Sequence, residues 1–209
     1  QARAMIDAGV TDPAAMAAVA HRNREAARAN PHAQVVGSPP IDELVAQPYL
    51  SDPLRRHDCP PVSDGGVAVV LAAGDKAREW AERPAWITGI DHRIDSHVLG
   101  ARDLTTAPSV AEAGRRAGAD GGGIDIAELH APFTHQEVLV RRELGLGDDV
   151  VVNPSGGPLS ANPMMAAGLI RIGEVAERIM AGTAGRGVAT ATSGHCLQQN
   201  LVAVLEGRS

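Results

Sequence analysis

The chain has 209 residues, of which 44% are hydrophobic, 21% charged and 2% aromatic, so its core is expected to be aliphatic. Its formal net charge is -6, and no cluster of Lys and Arg with interleaved aromatic residues occurs, which argues against a nucleic-acid partner. Two cysteines give no disulfide framework, and no apolar run approaches the roughly 20 residues that span a bilayer, so we expect a cytoplasmic protein without a membrane span.

The first part of the chain is predicted to contain two helices and an irregular segment. Residues 1–8 are typical of the end of a helix, and since the first residue is not Met, we expect the chain to be part of a longer one. Asp12 followed by Pro13 predicts the start of a second helix, which should end before Pro31. A short helical turn is expected at residues 41–46 of the Pro-rich segment that follows.

The stretch 67–71 is apolar at every position, which predicts a strand that is buried on both faces. A helix over 74–82 should follow it, and Pro84 favours a domain boundary at about this point.

The remaining pattern alternates between strands and helices, so we predict an α/β fold built in layers. Strands are predicted at 85–90, 124–129, 187–192 and 200–205, the last two forming a hairpin, and helices at 108–117, 134–144 and 164–180. The helix at 164–180 is nearly all apolar, so we expect it to be buried between sheets.

Residues 151–168 form a strand, a glycine loop and the start of that long helix. Gly156 and Gly157 allow a positive φ or a close approach of the backbone to a ligand. The helix would direct free N–H groups and the positive end of its dipole at the loop. A tight strand–helix connection explains the same pattern equally well.

Other kinds of site are poorly supported. The glycine loop lacks the Lys-Ser/Thr pair of a phosphate-binding loop and the third glycine of a dinucleotide fingerprint. No Cys-x-x-Cys motif occurs and the histidines do not fall at paired ligand spacing, so no metal site is expected.

Four separated stretches together resemble thiolases of the sterol-carrier-protein and lipid-transfer type. They are VAHRN at 19–23 with NPHAQ at 30–34, DPL at 52–54 with SDGGVA at 63–68, ELHAPF at 128–133, and NPSGG at 153–157. The third is similar to the family's His-Asp-Cys-Phe box, and the fourth to the loop that carries its Gly-His-Pro motif.

The resemblance implies a thiolase-like layered αβαβα fold of two similar halves. Residues 1–83 would be the end of the first half and residues 84–209 the whole second half. The family's nucleophilic cysteine would then precede Gln1, so we expect this segment alone to lack acyltransferase activity. Cys59 lies in an irregular Pro-rich stretch and is expected to be structural.

His130 is the first candidate catalytic residue. It follows a strand and precedes a helix, which is where open α/β sheets bind their ligands. A lone histidine at such a place is often only a hydrogen-bonded core residue. The resemblance favours a catalytic role instead, because a His or Asn at this position of the family points at the thioester oxygen and an imidazole N–H can stabilise charge there.

Asn162 is the second candidate, and it stands where the resemblance places the histidine of the Gly-His-Pro motif. An asparagine can donate a hydrogen bond but does not titrate near neutral pH. It could instead cap the helix that follows Pro163. The pair His130 and Asn162 is similar to that of initiating ketoacyl synthases, which implies that both side chains meet at one cavity and donate to one oxygen.

Substrate contacts are implied by the same resemblance for Gly156, Gly157, Phe133 and Gly194. Thr192 stands where thiolases carry a second, proton-shuttling cysteine, and a hydroxyl is a poor acid or base in that place.

His195 and Cys196 could form a base–nucleophile pair. Adjacent residues of an extended segment point to opposite faces, so we favour a place for Cys196 outside the active site.

The implied function is a thiolase-like acyltransferase that makes or breaks carbon–carbon bonds of CoA thioesters in lipid or sterol metabolism. Coenzyme A would be part of the substrate, and no other cofactor is expected. One alternative is a retro-aldolase acting on β-hydroxyacyl-CoA with an OB-fold partner protein. Another is a non-catalytic subunit that packs against an active homologue. A homodimer or a hetero-oligomer is expected in each case.

Overall fold

The computed structural model describes residues 1–207. Its N-terminal part contains helices α1 (Ala2–Asp7), α2 (Pro13–Ala26), α3 (Ile41–Ala46) and α4 (Gly74–Trp80), and a small hairpin of β1 (Tyr49–Ser51) and β2 (Leu54–Arg55). The Asp12 carboxylate accepts a hydrogen bond from the backbone N–H of Ala15 at 2.8 Å, so it caps α2 as the Asp-Pro pair predicts.

The remainder is organised on a five-stranded sheet. Its strands are β3 (Ala85–Ile94), β4 (Ile126–Glu128), β5 (Val151–Val152), β6 (Arg186–Ser193) and β7 (Gln199–Gly207). They lie in the order β3-β7-β6-β4-β5. Strand β4 runs parallel to both β5 and β6, whereas β7 is antiparallel to β3 and β6. The carboxyl ends of β4 and β6 therefore meet at one edge of the sheet.

Helices cover both faces of this sheet. Helices α5 (Pro108–Ala117) and α6 (Thr134–Glu143) share one core with one face, and α7 (Ala167–Met180) shares a second core with the other. The alternation along β7 shows the two sides, since Val202 belongs to the first core and Ala203 to the second. The layered α/β class predicted from the sequence is confirmed, and the described residues build helix–sheet–helix layers.

The predicted strand at 67–71 is wrong. Residues 59–73 have no regular structure, and Val70 and Leu71 are 82% and 76% exposed. Their composition favours extended backbone, but a strand needs a neighbour that pairs with it. None of the strands found within residues 1–207 supplies that pairing.

Helix α7 is also less buried than predicted. It begins at Ala167, after the exposed Met164 and Met165, and buries a single face. Val175 and Ile179 lie on that face against the sheet, which stabilises the fold by about 1.5–3 kcal/mol each. Residues on the other side, such as Met180, are exposed, because the described part of the chain places only one sheet against the helix.

The predicted domain boundary near Pro84, between α4 and β3, stays a prediction. No helix within residues 1–207 has the length and apolar character needed to cross a membrane.

Candidate functional site

A cleft of about 810 Å³ opens at the edge of the sheet where β4 and β6 end. His130 follows β4, Thr192 lies near the end of β6, and both line the cleft. The opposite walls come from irregular segments that include Ser63 and Asn162. Ligands of open α/β sheets bind outside the carboxyl ends of strands, so the position of this cleft is that of a binding site.

His130 is held by two hydrogen bonds and is only 6% exposed. Its backbone N–H donates to Oγ1 of Thr190 at 2.8 Å, and the backbone N–H of Thr192 donates to its Nδ1 at 3.0 Å. Because Nδ1 accepts, the ring proton of the neutral imidazole is on Nε2. Burial, together with the positive charge of Arg171, lowers the pKa of His130 to about 4. At neutral pH this side chain is therefore an uncharged Nε2–H donor.

Asn162 lines the same cleft, beside the His130 ring. Its backbone N–H donates to Oγ of Ser63 at 3.1 Å, which joins these two irregular segments to each other. Its side chain interacts with the His130 ring and opposes the lowering of that imidazole's pKa, while Oδ1 is buried and makes no hydrogen bond of good geometry within residues 1–207. The capping interpretation is wrong, because α7 begins at Ala167 and no side chain caps it.

Two of the four residues with an implied substrate contact line the cleft, and two do not. Phe133 and Gly194 form part of its wall. Gly156 and Gly157 are buried inside the loop, with φ of 93° and 59°. A Cβ on Gly156 would lie 2.5 Å from Cβ of Ala27. Close packing and backbone conformation are enough to require these glycines, and their contact with a substrate stays a prediction.

A buried ion pair holds the glycine loop from one side. Ser155 donates to Glu128 through its backbone N–H at 2.9 Å and its hydroxyl at 2.7 Å. Nη1 of Arg171 on α7 lies 2.7 Å from both Oε2 of Glu128 and Oγ of Ser155. Burial raises the pKa of Glu128, and Arg171 opposes that rise. The loop, β4 and α7 are thus joined by one buried charge pair.

A second buried network holds the loop from the other side. Glu137 of α6 accepts hydrogen bonds from Arg22 and from Nδ2 of Asn23, the latter at 2.6 Å. Nδ2 of Asn153 donates to the same carboxylate at 2.7 Å, and its Oδ1 accepts from the backbone N–H of Leu129 at 2.7 Å. Two of the four motif stretches therefore meet at Glu137, and Asn153 links this network to a third, at the strand end before His130.

The turn between β6 and β7 places both His195 and Cys196 on the cleft. The extended segment assumed for them is wrong, because positive φ at Gly194, Cys196 and Leu197 folds the chain into a tight turn. Arg102 donates to the carbonyl oxygens of His195 and Cys196 at 3.1 and 2.7 Å. Both residues thus line the cleft, whereas adjacent residues of an extended segment would point to opposite faces.

Cys59 lies outside the cleft and is half-buried. Its Sγ lies 3.6 Å from the carbonyl oxygen of Arg55, and burial raises the pKa of the thiol. These contacts agree with a structural role.

The sequence interpretation missed His135, which is 4% exposed and lines the cleft from the first turn of α6. Its position next to the candidate box 128–133, at the same edge of the sheet, was the available signal. Within residues 1–207, no group of three or more His, Cys, Asp or Glu side chains is arranged to hold a metal ion.

No family model matches the chain. Among curated proteins, it is 30% identical over 194 residues to an acetyl-CoA acetyltransferase of Methanothermobacter thermautotrophicus, covering 82% of this chain and 50% of the relative. It is 28% identical over 180 residues to the benzoylsuccinyl-CoA thiolase subunit BbsB of Thauera aromatica, covering 75% of this chain and 47% of the relative. The chain is thiolase-like.

The sterol-carrier resemblance is supported as well. This thiolase-like chain is 26% identical to sterol carrier protein 2 of Gallus gallus, over 84% of its own length and 37% of the relative. It spans about half the length, or less, of the curated relatives it matches.

A solved structure described as an Ltp2-ChsH2(DUF35) aldolase matches the thiolase-like chain with a TM-score of 0.82 at 23% identity. The match covers 98% of this chain and 61% of the other. At this identity the comparison shows a shared fold.

Proposed function

We propose that the full-length protein acts on CoA thioesters as a thiolase-like acyltransferase that makes or breaks a carbon–carbon bond. The observation that carries the proposal is that a neutral His130, with its proton on Nε2, and the Asn162 amide line one cleft at the sheet edge. The names of the relatives, an acetyl-CoA acetyltransferase and a CoA thiolase subunit, support this substrate class.

In the proposed reaction, the thioester oxygen accepts hydrogen bonds from Nε2 of His130 and Nδ2 of Asn162. Negative charge develops on this oxygen when the carbon next to the thioester carbonyl loses a proton to a base, or loses the carbon–carbon bond that is cleaved, and the thioester becomes an enolate. Fixed donors in a buried site stabilise such charge without reorganisation. A neutral imidazole suits this task, since it donates over the whole range above its lowered pKa.

The presence of Thr192 in place of a proton-shuttling cysteine supports a reaction other than ordinary thiolysis. Its hydroxyl donates to the carbonyl oxygen of Gln199 at 3.0 Å, and its backbone N–H is used by His130. Thr192 therefore positions the imidazole of His130, whereas a proton transfer at this point would need another group.

The alternative is a retro-aldolase that cleaves a β-hydroxyacyl-CoA with the help of a small OB-fold partner. The name of the matching structure, an aldolase of Ltp2 with the DUF35 protein ChsH2, favours it. The same two donors would stabilise the enolate that leaves in aldol cleavage. For either reaction we propose a cytoplasmic homodimer or hetero-oligomer. A non-catalytic subunit is the third proposal.

The test uses the full-length protein with acetoacetyl-CoA, acetyl-CoA and a β-hydroxyacyl-CoA. Thiolysis or condensation supports the acyltransferase, and aldehyde or ketone release from the β-hydroxyacyl-CoA supports the aldolase. Either activity should fall in a His130→Ala variant. An inactive wild type that binds no CoA thioester contradicts both enzyme proposals.

A further inference from the structure

The proposed reaction needs a group that moves a proton, and His130, Asn162 and Thr192 do not supply it. The Nδ1 of His130 accepts from the backbone N–H of Thr192, and its Nε2 carries the proton that is donated to the substrate oxygen. Asn162 has no group that titrates near neutral pH. The hydroxyl of Thr192 donates to the carbonyl oxygen of Gln199 at 3.0 Å and is a poor base. A further residue of the cleft must therefore transfer the proton.

Five other side chains that line the cleft can titrate: Arg3, Asp52, His135, His195 and Cys196. Arg3 and Asp52 form an ion pair with each other at 2.5 Å. His135 is only 4% exposed, and burial lowers its pKa to about 4, so its ring is a weak base. A thiol accepts a proton only after it has become a thiolate, and Cys196 is less exposed than His195. This comparison favours His195.

His195 lies on the turn between β6 and β7, whose backbone is held from two sides. Arg102, with a side chain that is 7% exposed, donates to the carbonyl oxygens of His195 and Cys196 at 3.1 and 2.7 Å. The backbone N–H of Asp95 donates to the carbonyl oxygen of Gln198 at 2.8 Å. The backbone of His195 is therefore fixed, while the residue itself stays exposed to solvent at the cleft.

The same turn brings His195 close to His130. Thr192, whose N–H lies 3.0 Å from Nδ1 of His130, precedes His195 by three residues, and three residues span at most about 11 Å. The positive φ of 74° at Gly194 bends the chain within that span and shortens it. The imidazole of His195 is thus within reach of a substrate carbon next to the oxygen held by His130 and Asn162. Imidazole is the side chain that most often transfers protons in enzymes.

We propose that His195 transfers the proton at the carbon next to the thioester carbonyl. This inference rests on the proposed function. A ring nitrogen takes the proton, the electron pair of the C–H bond becomes the C=C bond of the enolate, and the carbonyl π pair moves to the oxygen held by His130 and Asn162. In the cleavage direction the imidazolium returns a proton to the enolate carbon. The exposed ring exchanges its proton with water between turnovers.

The test follows deuterium incorporation into the methyl group of acetyl-CoA by NMR, with the full-length protein in D2O. We expect the wild type to catalyse this exchange and His195→Gln to slow it by about 10²–10⁴, because an amide is not a base. The affinity for acetyl-CoA, measured by calorimetry, should not change. Free imidazole should restore part of the exchange in His195→Ala, since it supplies the missing base. His97→Gln, at an exposed position outside the cleft, is the matched control.

The outcomes separate this inference from the proposed function. If His195→Gln binds acetyl-CoA and exchanges its protons at the wild-type rate, His195 is not the base, while the CoA-thioester site stands. Loss of exchange in Cys196→Ser, with retention in His195→Gln, would assign the step to the thiol instead. A loss in His195→Ala that imidazole does not restore would make the residue structural. If the wild type binds no CoA thioester, both proposals fail.

Discussion

The backbone N–H of Thr192 donates to Nδ1 of His130 across 3.0 Å. This bond joins the carboxyl end of β6 to the residue that follows β4, and it sets the imidazole tautomer with the proton on Nε2. A backbone group makes the contact, so the identity of the side chain at position 192 can change while the orientation of His130 is retained.

Replacing either proposed oxyanion donor should reduce turnover. His130→Ala and Asn162→Ala are each expected to lower kcat of the full-length enzyme by about 10²–10³, because each removes one fixed donor to the thioester oxygen. Steady-state kinetics measures the effect. His97→Ala, at an exposed position outside the cleft, is the matched control and should keep full activity.

If His130→Ala and Asn162→Ala both fold and retain full turnover, the two side chains are structural. Circular dichroism and thermal unfolding of each variant show whether the fold is kept.

Stability should fall as the pH drops from about 6.5 to 4. The pKa of His130 is lowered to about 4 in the folded state from an ordinary value of 6.5, mainly by burial. Between these two pH values the unfolded state takes up a proton that the folded state does not. The uncharged His130 therefore contributes about 3 kcal/mol to the free energy of unfolding above this range, and the contribution is lost as the pH falls through it.

Urea unfolding at several pH values measures this loss. His130→Asn should have a shallower decline than the wild type, whereas His97→Gln should have the same one. Equal slopes for His130→Asn and the wild type would contradict the assignment of a buried, uncharged imidazole.

The ion pair of Glu128 and Arg171 should be costly to break from one side. Arg171→Met leaves the fully buried Glu128 carboxylate without its cation, and we expect a loss of about 3–5 kcal/mol in the free energy of unfolding. The double variant Glu128→Gln/Arg171→Met should recover a large part of that loss. Chemical denaturation measures both, and a single variant as stable as the wild type would be inconsistent with a buried pair.

Arg102 should keep the turn at residues 194–198 ordered. Arg102→Met removes two hydrogen bonds to the carbonyls of His195 and Cys196, which should lower the free energy of local opening by more than 1 kcal/mol and speed amide exchange there about tenfold. Hydrogen exchange read by mass spectrometry measures it. Arg116→Met, at an exposed pair with Glu112, is the control and should leave the turn unchanged.

Helices with local start and stop signals could be predicted from the sequence. Helix α5 has Pro108 at its first position and Gly118 at its end with φ of 79°, and the predicted bounds match the structure. The stretch 67–71 has equally clear local composition but no strand, because pairing depends on a distant segment. Helices with local start and stop signals can be predicted from the sequence, whereas a strand also depends on pairing with a segment far along the chain.

The site shows the same division. The resemblance identified His130 and Asn162, and the structure brings them to one cleft although they are far apart in the chain. The resemblance assigned the glycine pair to the substrate, and the pattern alone does not distinguish a ligand from close packing against Ala27. His135 was missed, since its burial and lack of a partner depend on how the segments around it pack.

The claim that His130 and Asn162 hold one thioester oxygen is tested most directly by the infrared carbonyl stretch of an acyl-CoA labelled with carbon-13 at the thioester and bound to the full-length protein. Two donors polarise the carbonyl, so the stretch should move to lower frequency on binding, and His130→Ala and Asn162→Ala should each reverse part of that shift. A bound carbonyl with the frequency it has in water, or a shift that both variants leave unchanged, would contradict the claim.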